Sequence, residues 1–313
     1  MTAGGSPRRA MLLFAAFALS WVGVEEVLGR LLRQPYPLMQ IVWCRYASHL
    51  LLLFALCLWS QPARLWRTSR LTFHLLRSLC MVVMPLSFVL ALQAGAPGAT
   101  IWAVFWAAPV LILAIVWRGW RGSHGSHSPR VPAEAAPGAL SWWIAAACTL
   151  AGVLMYWPLQ GSGPASMPIL GLLAALAMAL SFAVYVVMTR SLRGEAVQAN
   201  LFYTAIGVFA LLTPFMPAVW VMPSRHDAAV LFCIGALGLV SLWLLDRAAA
   251  AAPLTQAVPG LYAYLPMWAS TVWWWQGAAV SSRWVAAVGV ALGLAWLWQR
   301  LPRDAAVREA VPV

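Results

Sequence analysis

The chain has no lysine and only 8 acidic residues among 313. Charged side chains of either sign make up 9% of it, against about 25% in a soluble globular domain. That is too little to coat a water-soluble protein of this length, and a disordered chain would need more charge and less apolar surface. Cysteine is scarce, at 5. Positions 44, 57, 80, 148 and 233 fall in apolar runs and no C-x-x-C is present, so no disulfide framework, redox centre or metal site is expected. Alternating apolar and polar residues are missing, which excludes a β-barrel. G-x-S-x-G, H-E-x-x-H and Walker-type loops are missing too. The chain is therefore read as no enzyme and no ATP-driven pump, with no cofactor.

What is present is apolar. Hydrophobic residues make up 63%, with 20 tryptophans, 22 glycines and 21 prolines, and the mean hydropathy is +0.80. This profile suits helices packed in lipid. All 20 basic residues are arginine, giving a net charge of +12. A nucleic-acid partner would need that charge gathered on one surface, whereas here it is scattered through short loops. The partners expected are the lipid bilayer and a small molecule, with no nucleic acid.

A helix needs about 20 apolar residues to cross about 30 Å of hydrocarbon. Ten runs qualify: 11–30, 38–59, 72–93, 98–118, 140–158, 168–190, 198–219, 228–246, 253–275 and 280–299. The fold class this predicts is an all-α integral membrane protein of ten transmembrane helices. Arg8 and Arg9 before the first run resemble the start of a signal peptide, but no A-x-A site follows, so they read as a cytoplasmic anchor. With the N-terminus inside, fourteen arginines fall in cytoplasmic segments and four in outer loops, which places both termini in the cytoplasm. The absence of lysine beside abundant alanine fits a GC-rich bacterial gene and hence a bacterial cytoplasmic membrane. The polar loop 119–139 carries His124 and His127 as H-G-S-H. Without a carboxylate or thiolate partner these read as solvated loop residues.

Leu86–Pro109 and Ser241–Pro266 are faintly alike. In each, a helix ends in an Ala-rich turn with a proline, and the next helix carries a proline near mid-depth. They lie about 155 residues, or five helices, apart. An odd number of helices per repeat inverts one half relative to the other, which points to a transporter. The halves are 1–160, which includes the loop, and 161–313.

Ten helices in two five-helix halves, Arg45 early in the second helix, and the stretch Arg77…Ser87-Phe88…Ala91-Leu92…Ala96-Pro97…Ala99…Pro109 resemble the drug/metabolite transporter superfamily, EamA type. The second-half counterpart is Leu244–Pro266. The resemblance covers residues 11 to about 300 and implies two EamA-like repeats and transmembrane transport. The chain departs from the pattern where an acidic residue often follows the fourth and ninth helices: Trp117-Arg118 and Trp275-Gln276 stand there.

Ionisable groups at membrane depth face cavities and have partners. Glu25 and Glu26 lie roughly 7 Å from the outer end of the first helix, and Arg45 roughly 10 Å into the second from the same side. Glu26 has Arg30 at i+4, which leaves Glu25 to face the bundle and pair with Arg45, either as a strut or as a substrate or proton site. His49 shares the face of Arg45 and is either a proton relay or a core histidine. His74 and Arg77 read as snorkelling side chains, and Asp246-Arg247 as an interfacial pair. Trp102 and Trp106 before Pro109, and Tyr264 and Trp268 around Pro266, occupy corresponding helices. Each proline frees a carbonyl four residues back, at Phe105 and Tyr262, and aromatic faces there suit a cationic or apolar solute; core packing is the alternative. Tyr185 is a candidate because its helix resembles a cavity-lining one in the family. Gly289-x-x-x-Gly293 offers a close-packing face to a neighbouring helix or to a second copy in a homodimer. The expected function is secondary transport of a small organic metabolite by alternating access. A lipid-linked carrier or flippase on the same scaffold is second and an intramembrane enzyme third.

Overall fold

A computed structural model describes residues 7–31, 34–60, 65–123, 139–156, 168–267, 270 and 289. Every regular element among them is helical. The helices are α1 (Pro7–Leu31), α2 (Leu38–Ser60), α3 (Leu71–Gln93), α4 (Gly98–Phe105), α5 (Ala108–Ser123), α6 (Ala139–Tyr156), α7 (Ile169–Ser191), α8 (Val197–Leu212), α9 (Met216–Val219), α10 (Arg225–Ala251) and α11 (Leu254–Ala257). Seven stretches among the described residues are long and apolar enough to cross a membrane. Leucines and tryptophans face outward along them, among them Leu51, Leu76, Leu173 and Trp243. In water such a surface would drive aggregation; in lipid it is the natural exterior. The chain is a multi-pass membrane protein, all-helical among the described residues.

Proline sets several boundaries. Pro97, Pro168 and Pro253 precede α4, α7 and α11 with nearly the same extended backbone, φ/ψ of −62/137, −56/136 and −52/137. The fixed ring φ suits a helix entry, and the residue itself cannot continue a preceding helix. α10 starts differently: Ser224 accepts from the Asp227 amide at 3.1 Å, a side-chain N-cap with an acid in the first turn. The α3–α4 turn holds Gly95 at φ +84°, a conformation other residues adopt only with strain.

Besides the run 198–219, which passes through a 3-10 turn at Thr213–Phe215, two expected spans are not continuous α-helices. The run 98–118 is divided at Trp106-Ala107, just before Pro109 removes an amide donor. The run 253–275 opens with the single turn of α11, passes through a 3-10 segment, Val258–Ala263, and returns to α-helix at 264–267. One side chain ties the two breaks together. Thr149 on α6 donates to the carbonyl of Trp106 at 3.1 Å and lies 3.1 Å from the Tyr262 hydroxyl, which in turn donates to the Ala145 carbonyl at 2.9 Å. The break thus leaves a carbonyl that α6 satisfies, as hydrocarbon requires.

Small residues let helices approach closely. A side chain at Gly207 of α8 would collide with Ser78 of α3, and one at Gly235 of α10 with Ser48 of α2. At the centre, Phe182 of α7 stacks on Phe17 of α1 at 6.0 Å and meets Phe105 of α4 at 5.3 Å. These contacts hold α1, α4 and α7 around a common axis.

Candidate functional site: a mid-depth cavity above a buried polar network

A cavity of about 60 Å³ lies in the half of the bundle toward the α1–α2 turn. By volume it holds roughly four or five waters. Its wall is mainly apolar, with Met81, Met84 and Pro85 of α3, Met178 of α7 and the aromatic rings of Trp21, Tyr46, Phe88 and Trp102. Two ionisable groups interrupt it, Glu25 of α1 and Arg45 of α2.

The two reach the same cavity but form no ion pair with each other. Glu25 accepts from the Trp21 indole at 2.9 Å, one turn earlier on its own helix, and from the Tyr264 hydroxyl. Arg45 lies between the Trp21 ring at 5.7 Å and the Tyr46 ring at 5.8 Å. Its buried Nε has no hydrogen-bond partner among the described residues. The guanidinium rests on Gly238 of α10, where an ideal Cβ would come within 2.4 Å of Nε. The expected pairing is thus replaced by a carboxylate held by two aromatic donors and a guanidinium without a carboxylate.

Gly238 is therefore a seat for Arg45. Alanine there pushes the guanidinium out of its slot, and because that end is flexible the overpacking cost stays near 1 kcal/mol, the low end of such changes. Gly238→Ala is expected to keep its thermal midpoint close to wild type while ligand affinity falls about tenfold, the effect of losing about 1.4 kcal/mol of contact. Titrations of a bound solute on the two proteins check this.

The other candidates divide. Trp102 lines the cavity and meets Phe88 at 5.7 Å. Trp106 and Tyr264, read as positions in different halves, meet with ring centroids 4.1 Å apart and planes tilted by 32°. Trp106 is buried, and its indole nitrogen has no hydrogen-bond partner among the described residues. His49 is fully buried, one turn below Arg45 and 4.8 Å from the Tyr46 ring, and neither ring nitrogen has a partner of normal hydrogen-bond geometry among the described residues. Tyr185 lies off the cavity wall and deeper, within electrostatic reach of Arg45 and 5.2 Å from the Arg77 guanidinium. Trp268, His124, His127 and Gly293 lie outside the described residues.

Beneath the cavity, toward the side where α1 begins, is a network that sequence reasoning missed. Arg77 is 1% exposed and His74 fully buried, so neither snorkels. Arg77 donates to Thr189 at 3.2 Å, to Thr204 at 2.9 Å and to the Asn200 carbonyl. The Asn200 amide donates to Asp246 at 2.8 Å. Asp246 is 5% exposed and faces Asn200, not the lipid interface, while Arg247 points outward over Trp243 at 5.8 Å. Adjacent positions on a helix point 100° apart, which is why the expected interfacial pair separates. Arg190 adds two hydrogen bonds, to the Ala249 and Ala250 carbonyls at the end of α10, at 2.9 and 3.0 Å. The network joins α3, α7, α8 and α10 and closes the bundle on that side. A sequence signal existed: Asn200 and Thr204, one turn apart, are polar within an apolar run.

The loops cover this end. Glu195, between α7 and α8, meets His74 at 3.3 Å and accepts from Ser69 at 3.4 Å, and Arg70 donates to the Ser191 carbonyl at 3.3 Å. Partial burial raises the Glu195 carboxyl, but hydrogen bonds from Thr68 and His74 outweigh it and hold it below its ordinary 4.5. A depressed carboxylate stabilises the fold fully above its unfolded value and loses that contribution as pH falls through the folded one. The wild-type thermal midpoint is thus expected to fall on acidification below 4.5, and Glu195→Gln to flatten that part of the profile.

On the opposite side, Gln40 bridges to Val221 through both amide atoms, at 2.6 and 2.9 Å, and Tyr36 donates to Asp227 at 2.7 Å. The cavity therefore lies between two tied ends. No family model matches the chain, and no curated protein does. Solved structures do match, 27 chains in all. One of them, described as a crystal structure of a protein, superposes with a TM-score of 0.69 at 19% identity, over 97% of this chain and 97% of that one. At that identity the likeness concerns the fold alone.

Proposed function

We propose that the chain is a secondary transporter of the drug/metabolite transporter superfamily, EamA type, which moves a small organic metabolite across a bacterial cytoplasmic membrane by alternating access. The observation that carries this is Arg45: a guanidinium on the wall of a mid-depth cavity with no carboxylate partner among the described residues. A charge at that depth is expensive to keep without a function. The cavity supplies the function if an anionic group of the solute pairs with Arg45 while Glu25 takes a donor, and the aromatic and methionine walls accept the apolar remainder.

Ten helices in two inverted repeats, 1–160 and 161–313, with both termini cytoplasmic, complete the proposal. Support comes from the matching entries at Pro97 and Pro253 and from the breaks around Trp106 and Val258–Ala263. Irregular backbone at matching places of two halves is a mark of transporter sites. In this orientation the Arg77–Asn200–Asp246 network is the cytoplasmic closure, and the cavity waits to open at the α1–α2 side.

A lipid-linked carrier on the same scaffold is the second reading. It draws on a seam between α2, α3 and α8 that shares Leu38, Val42 and Pro85 with the cavity and ends at Leu86 on the surface. At about 10 Å³ the seam admits no acyl chain, so this reading ranks below the first.

The test is a thermal-shift screen of the purified protein against amino acids, nucleosides, sulfonium compounds, polyamines and lipid headgroups. A solute that binds only the folded state raises the midpoint by mass action. The proposal expects a water-soluble hit whose shift is lost in Arg45→Ala. Shifts from headgroups alone favour the carrier, and no shift from any class counts against both.

A further inference from the structure

We propose that a groove on the membrane face of α2, α8 and α10 binds an anionic phospholipid, with its phosphate on Arg247. This goes beyond the transport reading and rests only on the chain lying in a bilayer. The groove has a volume of about 260 Å³, larger than the cavity at Glu25 and Arg45. Its floor is buried and apolar: Leu53 and Cys57 of α2, Leu201 of α8 and Leu239 of α10. Its rim is exposed, with Leu56 at 62% and Trp243 at 42%. On α10, Leu239, Trp243 and Arg247 follow one another at four-residue spacing, so the groove runs about 12 Å along that helix. It leads from apolar floor to cation, the polarity sequence of the upper part of an acyl chain ending in a phosphate.

No carboxylate among the described residues forms an ion pair with the charge at its end. Arg247 is exposed and stacks over Trp243, while its acidic neighbour Asp246 is turned inward to Asn200. Exposed Arg67, Arg70 and Arg193 are on the same side of the bundle, so the local field is positive. Gln198, also on the groove wall, supplies an amide at the same end. Lipid tails are as apolar as leucine, so the groove itself does little to distinguish one lipid from another in a bilayer. Selection falls to the headgroup: phosphatidylglycerol keeps a net negative charge opposite Arg247, whereas the choline of phosphatidylcholine offsets it. Basic sites between helices at the membrane surface recognise anionic lipids in this way.

The experiment compares dioleoyl-phosphatidylglycerol with dioleoyl-phosphatidylcholine on the full-length protein in detergent. Thermal midpoints are read against lipid concentration, and native mass spectrometry reads lipid retained at one per chain. Wild type is expected to bind the anionic lipid about fivefold tighter, the effect of one arginine near the surface, and Arg247→Gln to lose that preference while still binding both lipids at the weaker level. Val240→Trp, which fills the exposed rim without touching charge, is expected to remove the retained adduct of both lipids. Equal affinity for the two lipids in wild type, a preference that survives Arg247→Gln, or an adduct that survives Val240→Trp would each overturn the proposal.

Discussion

Arg77→Ala is expected to cause the largest loss of stability of any single change considered, about 3–5 kcal/mol, the range seen when one member of a buried charged network is removed. Arg77 is almost fully buried, makes three hydrogen bonds and faces the ring of Tyr185. Its loss removes one donor each from Thr189, Thr204 and the Asn200 carbonyl, which keeps only the Thr204 hydroxyl as a side-chain donor, and takes the nearby positive charge away from buried Asp246. Ordinary polar contacts between membrane helices average about 0.6 kcal/mol, so Thr204→Val should cost far less. The double variant Arg77→Ala/Asp246→Asn separates network from packing. If the charge on Asp246 is what Arg77 offsets, the second change recovers part of the loss in thermal unfolding. If the two costs simply add, the network is a set of independent hydrogen bonds.

The second large effect belongs to the cavity. Arg45→Ala is expected to reduce solute flux by about a hundredfold or more, because a charge-assisted pair with a carboxylate or phosphate contributes about 3 kcal/mol in a site without competing water. Glu25→Gln keeps the shape and can still bond the Trp21 indole and the Tyr264 hydroxyl, so its stability stays near wild type while it loses any step that needs the charge. Flux that falls in both variants, with unchanged thermal midpoints, assigns both groups to the solute. Arg45→Ala that unfolds while Glu25→Gln transports normally would make Arg45 a strut between α2 and α10.

Much of the helical layout could be read from the chain because a length rule governs it. Runs near 20 apolar residues recur, and most described helix ends fall within a few residues of the expected ones. The breaks at Trp106 and before Pro266 were foreshadowed by proline, whose missing donor is visible in sequence. The depths of Glu25 and Arg45 were readable for the same reason, since rise per residue is constant. Their partners were not. Which way Glu25 turns depends on Trp21 and on Tyr264, 239 residues away, and no count along one helix reports that.

His74 and Arg77 show the same limit from the other side. Counted from the start of α3 they lie near the interface, so position along the helix alone predicts snorkelling. Segments from elsewhere, the loop before α3 and the α7–α8 turn, fold over that end and enclose them. Asp246 shows it too: its neighbour Arg247 is visible in the chain, but its partner is Asn200 on another helix. Polar residues inside apolar runs, here Asn200, Thr204 and Thr189, were the signal available.

The central claim is that a solute passes through the cavity between Glu25 and Arg45. Proteoliposomes containing the full-length protein, assayed for uptake of radiolabelled amino acids, nucleosides, sulfonium compounds and polyamines, test it most directly when wild type and Arg45→Ala are compared at equal incorporation. The account predicts saturable uptake of at least one solute by wild type and near-background uptake by the variant. Equal uptake by both proteins, or none by wild type across the panel, would contradict it.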